Sequence, residues 1–135
     1  MASAPLISAA RVVIGGYIAA HGAQKLFGWF GGRGLEATSQ GFGRMGLAPA
    51  RQMATLAGVS EVAGGVLTAT GIADPLGPIA VAGTMVVAVA AHRKSGPFAN
   101  KGGFELPLAN LALAAVLAGA GAHAPRIAPL PKQKV

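Results

Sequence analysis

The chain has 135 residues, 53% of them hydrophobic and only 11% charged, with a net charge of +7. That length suits one compact domain, and the charged fraction falls far short of the roughly 25% usual in soluble domains. With Glu36, Glu61, Asp74 and Glu105 as its only acids and no cysteine, the sequence excludes a fully wetted helical bundle, disulfides, thiolate metal sites and a cysteine nucleophile.

Residues 1–6 carry no basic region, and Arg11 interrupts the apolar stretch a signal peptide would need, so the N-terminus reads as retained. Four segments approach the roughly twenty residues that cross a bilayer as helix. The first, about 6–30, contains Arg11, His21 and Lys25, and charges near its ends can snorkel to the headgroups. In the connection over 31–51, glycines alternate with Leu35, Phe42, Met45 and Leu47, the pattern of a short interfacial helix or a re-entrant loop. The second span, about 53–71, is broken only by Glu61. Gly71, Asp74, Pro75, Gly77 and Pro78 then mark a tight turn. The third span covers about 76–92. Ser95, Gly96, Pro97 and the Gly102-Gly103 pair separate it from the fourth, about 104–122. A tail over 124–135, with three prolines and three basic residues, reads as a mobile segment near lipid headgroups. The expected fold is all-α: a four-helix transmembrane bundle over 1–123, with a longer loop or interfacial segment between helices 1 and 2.

Small residues recur at spacings near four, as in Ala54, Ala57, Gly58, Gly64 and Gly65, and again in Ala109, Ala112, Ala115 and Gly119. Such stripes let membrane helices approach closely. Basic residues sit at the ends of the apolar runs rather than along one polar face, which points to lipid headgroups and away from nucleic acid. With four crossings, Lys25, Arg33, Arg44, Arg51, Arg93, Lys94 and Lys101 lie on one side, against Arg11, Arg126, Lys132 and Lys134 on the other. The richer side is the expected cytoplasmic one.

Glu61 is the sharpest chemical signal, because a lone carboxylate midway along a membrane helix is costly to ionise and is usually paired, protonated or part of a pathway. Its neighbours one turn away, Ala57 and Gly65, are small and leave room for another helix or a ligand. His21 and Lys25 project from one face of the first span, with Tyr17 a turn earlier. The direction of the helices brings His92, Glu105 and Asn110 into the same half of the membrane. Trp29, with Phe27 and Phe30, reads as an interfacial anchor or as a stacking surface for a ring. The glycines around Gly28 and Gly34 lack the Gly-Lys-Ser/Thr ending of a phosphate loop. The three histidines show no metal-ligand spacing, so no metal is expected.

His21-Gly22-Ala23-Gln24-Lys25-Leu26-Phe27-Gly28, then Glu61 with Gly64 and Gly65, then Gly102-Gly103-Phe104-Glu105 with Leu108 resemble the DoxX family of small four-helix membrane proteins. The resemblance runs from about Arg11 to Gly121. It implies, for some members, the membrane subunit of a quinone-linked oxidoreductase acting on thiosulfate or related sulfur compounds, and for others an association with thiol and oxidative-stress partners. Carried over by position, the family-like polar set is His21, Gln24, Lys25, Glu61, Gly103 and Glu105. Any sulfur chemistry would take place on a substrate or a partner, since cysteine is absent.

Two functions follow as expectations. In the first, quinone binds between the helices, Trp29 and Phe104 flank the ring, and His21 or Lys25 donates to a carbonyl. Gln24 and Asn110 belong to the same binding set, while Glu61 and Glu105 pass protons. Electrons come from a partner protein or a bound cofactor, so the chain is a non-autonomous subunit in the bacterial plasma membrane. In the second, the chain is a non-catalytic adaptor or lipid-binding module, and His21, Lys25 and Glu61 form a structural polar knot. Either version operates with a protein partner or as a homo-oligomer.

Overall fold

A computed structural model of the chain describes residues 4–120; the expected tail over 124–135 lies outside them. The described elements are α1 (Ala4–Phe27), α2 (Gly34–Arg44), α3 (Ala50–Thr70), α4 (Leu76–His92) and α5 (Glu105–Ala120), with short 3-10 turns at Trp29–Gly31, Arg93–Ser95 and Ala99–Lys101. The expected four helices are therefore five. α1, α3 and α4 with its following turn are long and apolar enough to cross a membrane, whereas α5 has 16 residues.

The additional helix is α2, in the segment expected to be interfacial or re-entrant. Leu35, Ser39 and Phe42 recur at i, i+4 and i+7, which puts them on one face. Glu36 lies in its first turn and Arg44 in its last, both favourable to the helix dipole. The hydroxyls of Thr38 and Ser39 donate to the carbonyls of Gly34 and Leu35, each at 2.7 Å. Polar side chains thus bond within the helix, and glycine content alone does not reveal it.

Glycine ends two of the long helices. α1 stops at Gly28 (φ 71°) and α3 at Gly71 (φ 72°), both in the left-handed region that residues with a Cβ avoid. Gly71 N–H donates to Leu67 O at 2.9 Å, closing the last turn of α3.

α1 and α3 run antiparallel in very close contact. A Cβ on Gly65 would lie 2.5 Å from Ala19 N and Gly15 O, and one on Gly22 would lie 2.6 Å from Gly58 O. Backbone therefore packs on backbone, as small-residue stripes permit. α3 meets α4 where Gly64 faces Gly77, Ala80 and Val81. α5 joins α1 and α4 through Ile18, Val81, Met85 and Ala114, with Ile14, Ala82 and Leu111 beside them. The expected small stripe of α5 does not make these contacts: Ala109, Ala112, Ala115 and Gly119 are exposed, and the packed face is Ala114 and Leu117.

Apolar side chains also cover the outside. Val13 and Val116 are each 68% exposed and Leu56 61%. In water that surface would be a large liability, and in lipid it is the solvated face.

Candidate functional site

Side chains on a helix lean toward its N-terminus. Lys25, near the C-terminal end of α1, therefore leans into the bundle. Glu61, midway along antiparallel α3, leans toward it. Lys25 Nζ donates to Glu61 Oε2 at 2.7 Å, and the Glu61 side chain is 4% exposed. The acid that looked isolated in sequence is thus paired across the α1–α3 interface.

The pair borders a cavity of about 480 Å3, within the usual range for small-molecule sites. It lies between the halves of the helices nearest the 93–105 connection. His21, Lys25, Glu61 and Asn110 all line it, together with Tyr17, Ser60, Thr84 and His92. The rest of the lining is apolar, including Leu56, Met85 and Val87. Phe42, Met45 and Leu47 come from α2 and the turn after it and cover the end of the cavity. Sequence reading singled out none of these three as site residues, because an amphipathic helix lying on a bundle end advertises an interface and not what is beneath it.

The Tyr17 and His21 rings meet edge to face, with centroids 4.6 Å apart. Asn110 Nδ2 donates to Tyr17 Oη at 3.3 Å, tying α5 to α1. His92 Nδ1 donates to Ala88 O at 2.8 Å, which turns Nε2 away from its own helix. These are the groups able to hydrogen-bond a ligand inside an otherwise oily chamber.

Four expected site residues do not line the cavity. Gln24 Nε2 donates to Phe30 O at 3.2 Å and so shapes the turn after α1. Trp29 is 59% exposed and packs on Phe27 and Phe30, with ring centroids at 5.0 and 6.4 Å. It thus stands on the outer surface, away from the cavity. Phe104 and Glu105 close the α4–α5 connection. Phe104 N–H donates to Gly96 O, Glu105 N–H donates to Pro97 O, and Glu105 Oε1 accepts from Ala99 N–H at 2.7 Å. Gly103 is pressed against the backbone of Gly96, Pro97 and Phe98. The Gly-Gly-Phe-Glu element is therefore a loop clasp, and its glutamate caps instead of facing the chamber.

A second buried pair stands at the opposite end of the bundle. Arg11 forms an ion pair with Asp74, their side chains being 1% and 0% exposed. Arg11 was expected to snorkel; it points inward instead, because the only acid on that side sits in the α3–α4 turn packed against α1. Opposite lone charges at the same end of two neighbouring spans were a usable signal for this pair.

The three ion pairs among the described residues are Arg11–Asp74, Lys25–Glu61 and Arg51–Glu36. Arg33, Arg44, Arg93, Lys94 and Lys101 have no acidic partner among those residues, and all five belong to the connections at the cavity end. No group of three or more His, Asp or Glu side chains able to hold a metal occurs among the described residues.

A family model described as DoxX matches residues 6–93, more than half of the chain. The match takes in α1 through α4 and stops before the loop clasp and α5. No curated protein and no solved structure matches the chain.

Proposed function

The chain belongs to the DoxX family, and from that premise we propose that it is the four-crossing membrane subunit of a quinone-linked redox complex concerned with sulfur, thiol or oxidative-stress chemistry. α5 serves as the fourth crossing, the membrane is the bacterial plasma membrane, and the five unpaired cations face the cytoplasm. The observation that carries the reading is the chamber itself: apolar walls at membrane depth around a small convergent set of hydrogen-bonding groups.

Those groups suit a quinone headgroup. His21, Lys25 and Asn110 can donate to carbonyl oxygens, and Tyr17 Oη, which accepts from Asn110, keeps its own proton to donate. A quinone takes up protons with its electrons, and the Lys25–Glu61 hydrogen bond is a place to hold a proton beside it. Trp29 and Phe104 have no part in ring binding under this reading. Electrons are delivered by a partner protein or its cofactor.

Glu61→Gln tests the idea. Quinone-linked turnover of the intact complex should fall about a hundredfold, in keeping with loss of a general acid or base, while quinone still co-purifies in mild detergent. If no quinone is extracted from the wild-type protein and Glu61→Gln leaves the partner's activity intact, the reading fails.

The Lys25–Glu61 pair also supports a second reading, a non-catalytic adaptor or lipid-binding module in which the pair fixes helix register. Glu61→Gln would then lower bundle stability without selectively reducing turnover.

A further inference from the structure

We propose that the chamber is loaded sideways from the bilayer with a single-tailed amphiphile bearing an uncharged, hydrogen-bonding head, whose tail lies out through a slot between α3 and α4. The proposal names the ligand class of the site just described. For its headgroup it rests on the quinone reading, while the slot rests on geometry alone.

The slot arises because α3 and α4 touch over only part of their length. Gly64 faces Ala80 and Val81 so closely that an added Cβ would lie 3.2 Å from their side chains, and beyond that contact the chamber separates the two helices. Leu56, Gly83 and Val87 line the chamber and are exposed, at 61% for Leu56 and 39% for Val87. Carried by the two neighbouring helices α3 and α4, they mark the opening between them. At 1.5 Å per residue, Leu56 lies about 9 Å along its helix from Ala50, and Gly83 about 13 Å from His92. The opening is thus at hydrocarbon depth, where a molecule dissolved in lipid has access and a water-borne one does not.

Tyr17, Met45 and Leu106 also line the chamber and are exposed, but side chains bridge or crowd those approaches. Asn110 donates to Tyr17 across the α1–α5 wall, and Phe42, Met45 and Leu47 cover the cationic end. Polarity inside the chamber gives the ligand a direction. Tyr17, His21, Lys25 and Glu61 stand at the α1 side, whereas on the slot side Leu56, Ala57, Gly83 and Val87 are accompanied only by the hydroxyls of Ser60 and Thr84, the latter already donating to Ala80 O. A head that hydrogen-bonds therefore goes inward, and the tail follows outward. Depth argues against a phospholipid. Its phosphate belongs at the interface, but Glu61 lies about 16 Å along α3 from Ala50, and carrying a headgroup charge that far is costly. An uncharged head has no such cost.

Gly83 provides a selective test, because a Cβ built there meets nothing within 4 Å and a larger side chain can fill the slot without displacing the backbone. The full chain in lipid nanodiscs is titrated with a decyl-substituted benzoquinone and with the same ring lacking the tail. Gly83→Phe should weaken the decyl compound about tenfold or more and leave the tail-less ring unchanged. Equal loss for both, or no loss for either, overturns the proposal.

Should the wild-type protein bind neither ring, the quinone reading fails, and the slot is judged separately. A long-chain alcohol with a diazirine in its tail is photolysed in the same nanodiscs and its adducts are mapped by mass spectrometry. Adducts concentrated on Leu56 and Val87, and lost in Gly83→Phe, support the slot. Adducts spread evenly over the lipid-facing surface, or equal labelling by a two-chain phospholipid probe, overturn it.

Discussion

Gly65→Leu is expected to destroy the folded bundle, at a cost of about 3 kcal/mol or more. Even the first carbon of a side chain at this position would sit 2.5 Å from Ala19 N and Gly15 O, both backbone atoms of α1. Backbone has no rotamer with which to retreat, so α1 must move away from α3 along its length. Overpacking of a tight interior commonly costs about 1–3 kcal/mol when side chains can adjust, and here they cannot. The displacement would also part Lys25 from Glu61, because those two side chains meet across the same interface. Denaturant titration in mixed micelles, followed by helical circular dichroism, measures the loss. Gly16→Ala is the matched control: nothing lies within 4 Å of an added Cβ there, and removing a helical glycine should raise stability by about 0.5–1 kcal/mol. If Gly65→Leu unfolds at the same denaturant concentration as Gly16→Ala, the α1–α3 interface is not close-packed.

Asp74→Ala is expected to cost about 3–5 kcal/mol, the usual penalty when one partner of a buried ion pair is removed and the other charge stays behind. Arg11 is 1% exposed and Asp74 is its acidic partner. Arg11 Nε and Nη1 have no hydrogen-bond partner among the described residues, nor does the buried hydroxyl of Thr68. The guanidinium therefore depends on Asp74 for its compensation. The double variant Arg11→Met with Asp74→Leu should recover most of the stability, since apolar side chains of similar bulk avoid the desolvation cost altogether. A double-mutant cycle on unfolding free energies separates the two cases. Additive losses, with the double variant as unstable as the sum of the singles, would mean that Arg11 and Asp74 do not depend on each other. Because losing Arg11 removes a positive charge from the side that has fewer, membrane orientation in the double variant should stay as in the wild type, set by the cations of the connections at the other end.

Composition and the positions of its breaks determined by themselves that this chain is helical and dissolves in lipid. A low charge content spread along apolar runs leaves no polar face to wet, and Gly71, Asp74 and Pro75 break the chain wherever the rest of it lies, although Gly28 ends α1 inside the expected first span. The polar stripe of His21 and Lys25 was legible for the same reason, since helical periodicity alone puts both on one face. A knot of that stripe with Glu61 was one of the two expectations, but the register that brings Lys25 to Glu61 was not legible. Glu61 is paired because α3 runs antiparallel to α1 in a register set by Gly15, Gly22, Gly58 and Gly65, and register is a property of two surfaces together. Arg11 turned inward because Asp74 was waiting in a turn sixty-odd residues away. Glu105 and Phe104 were spent on a loop and Trp29 on the outer surface, although their types and approximate depth suited the chamber. Only the tertiary structure decided these points, because a sequence states which way a side chain leaves its own helix, and the neighbour it meets is chosen by how closely the helices can approach.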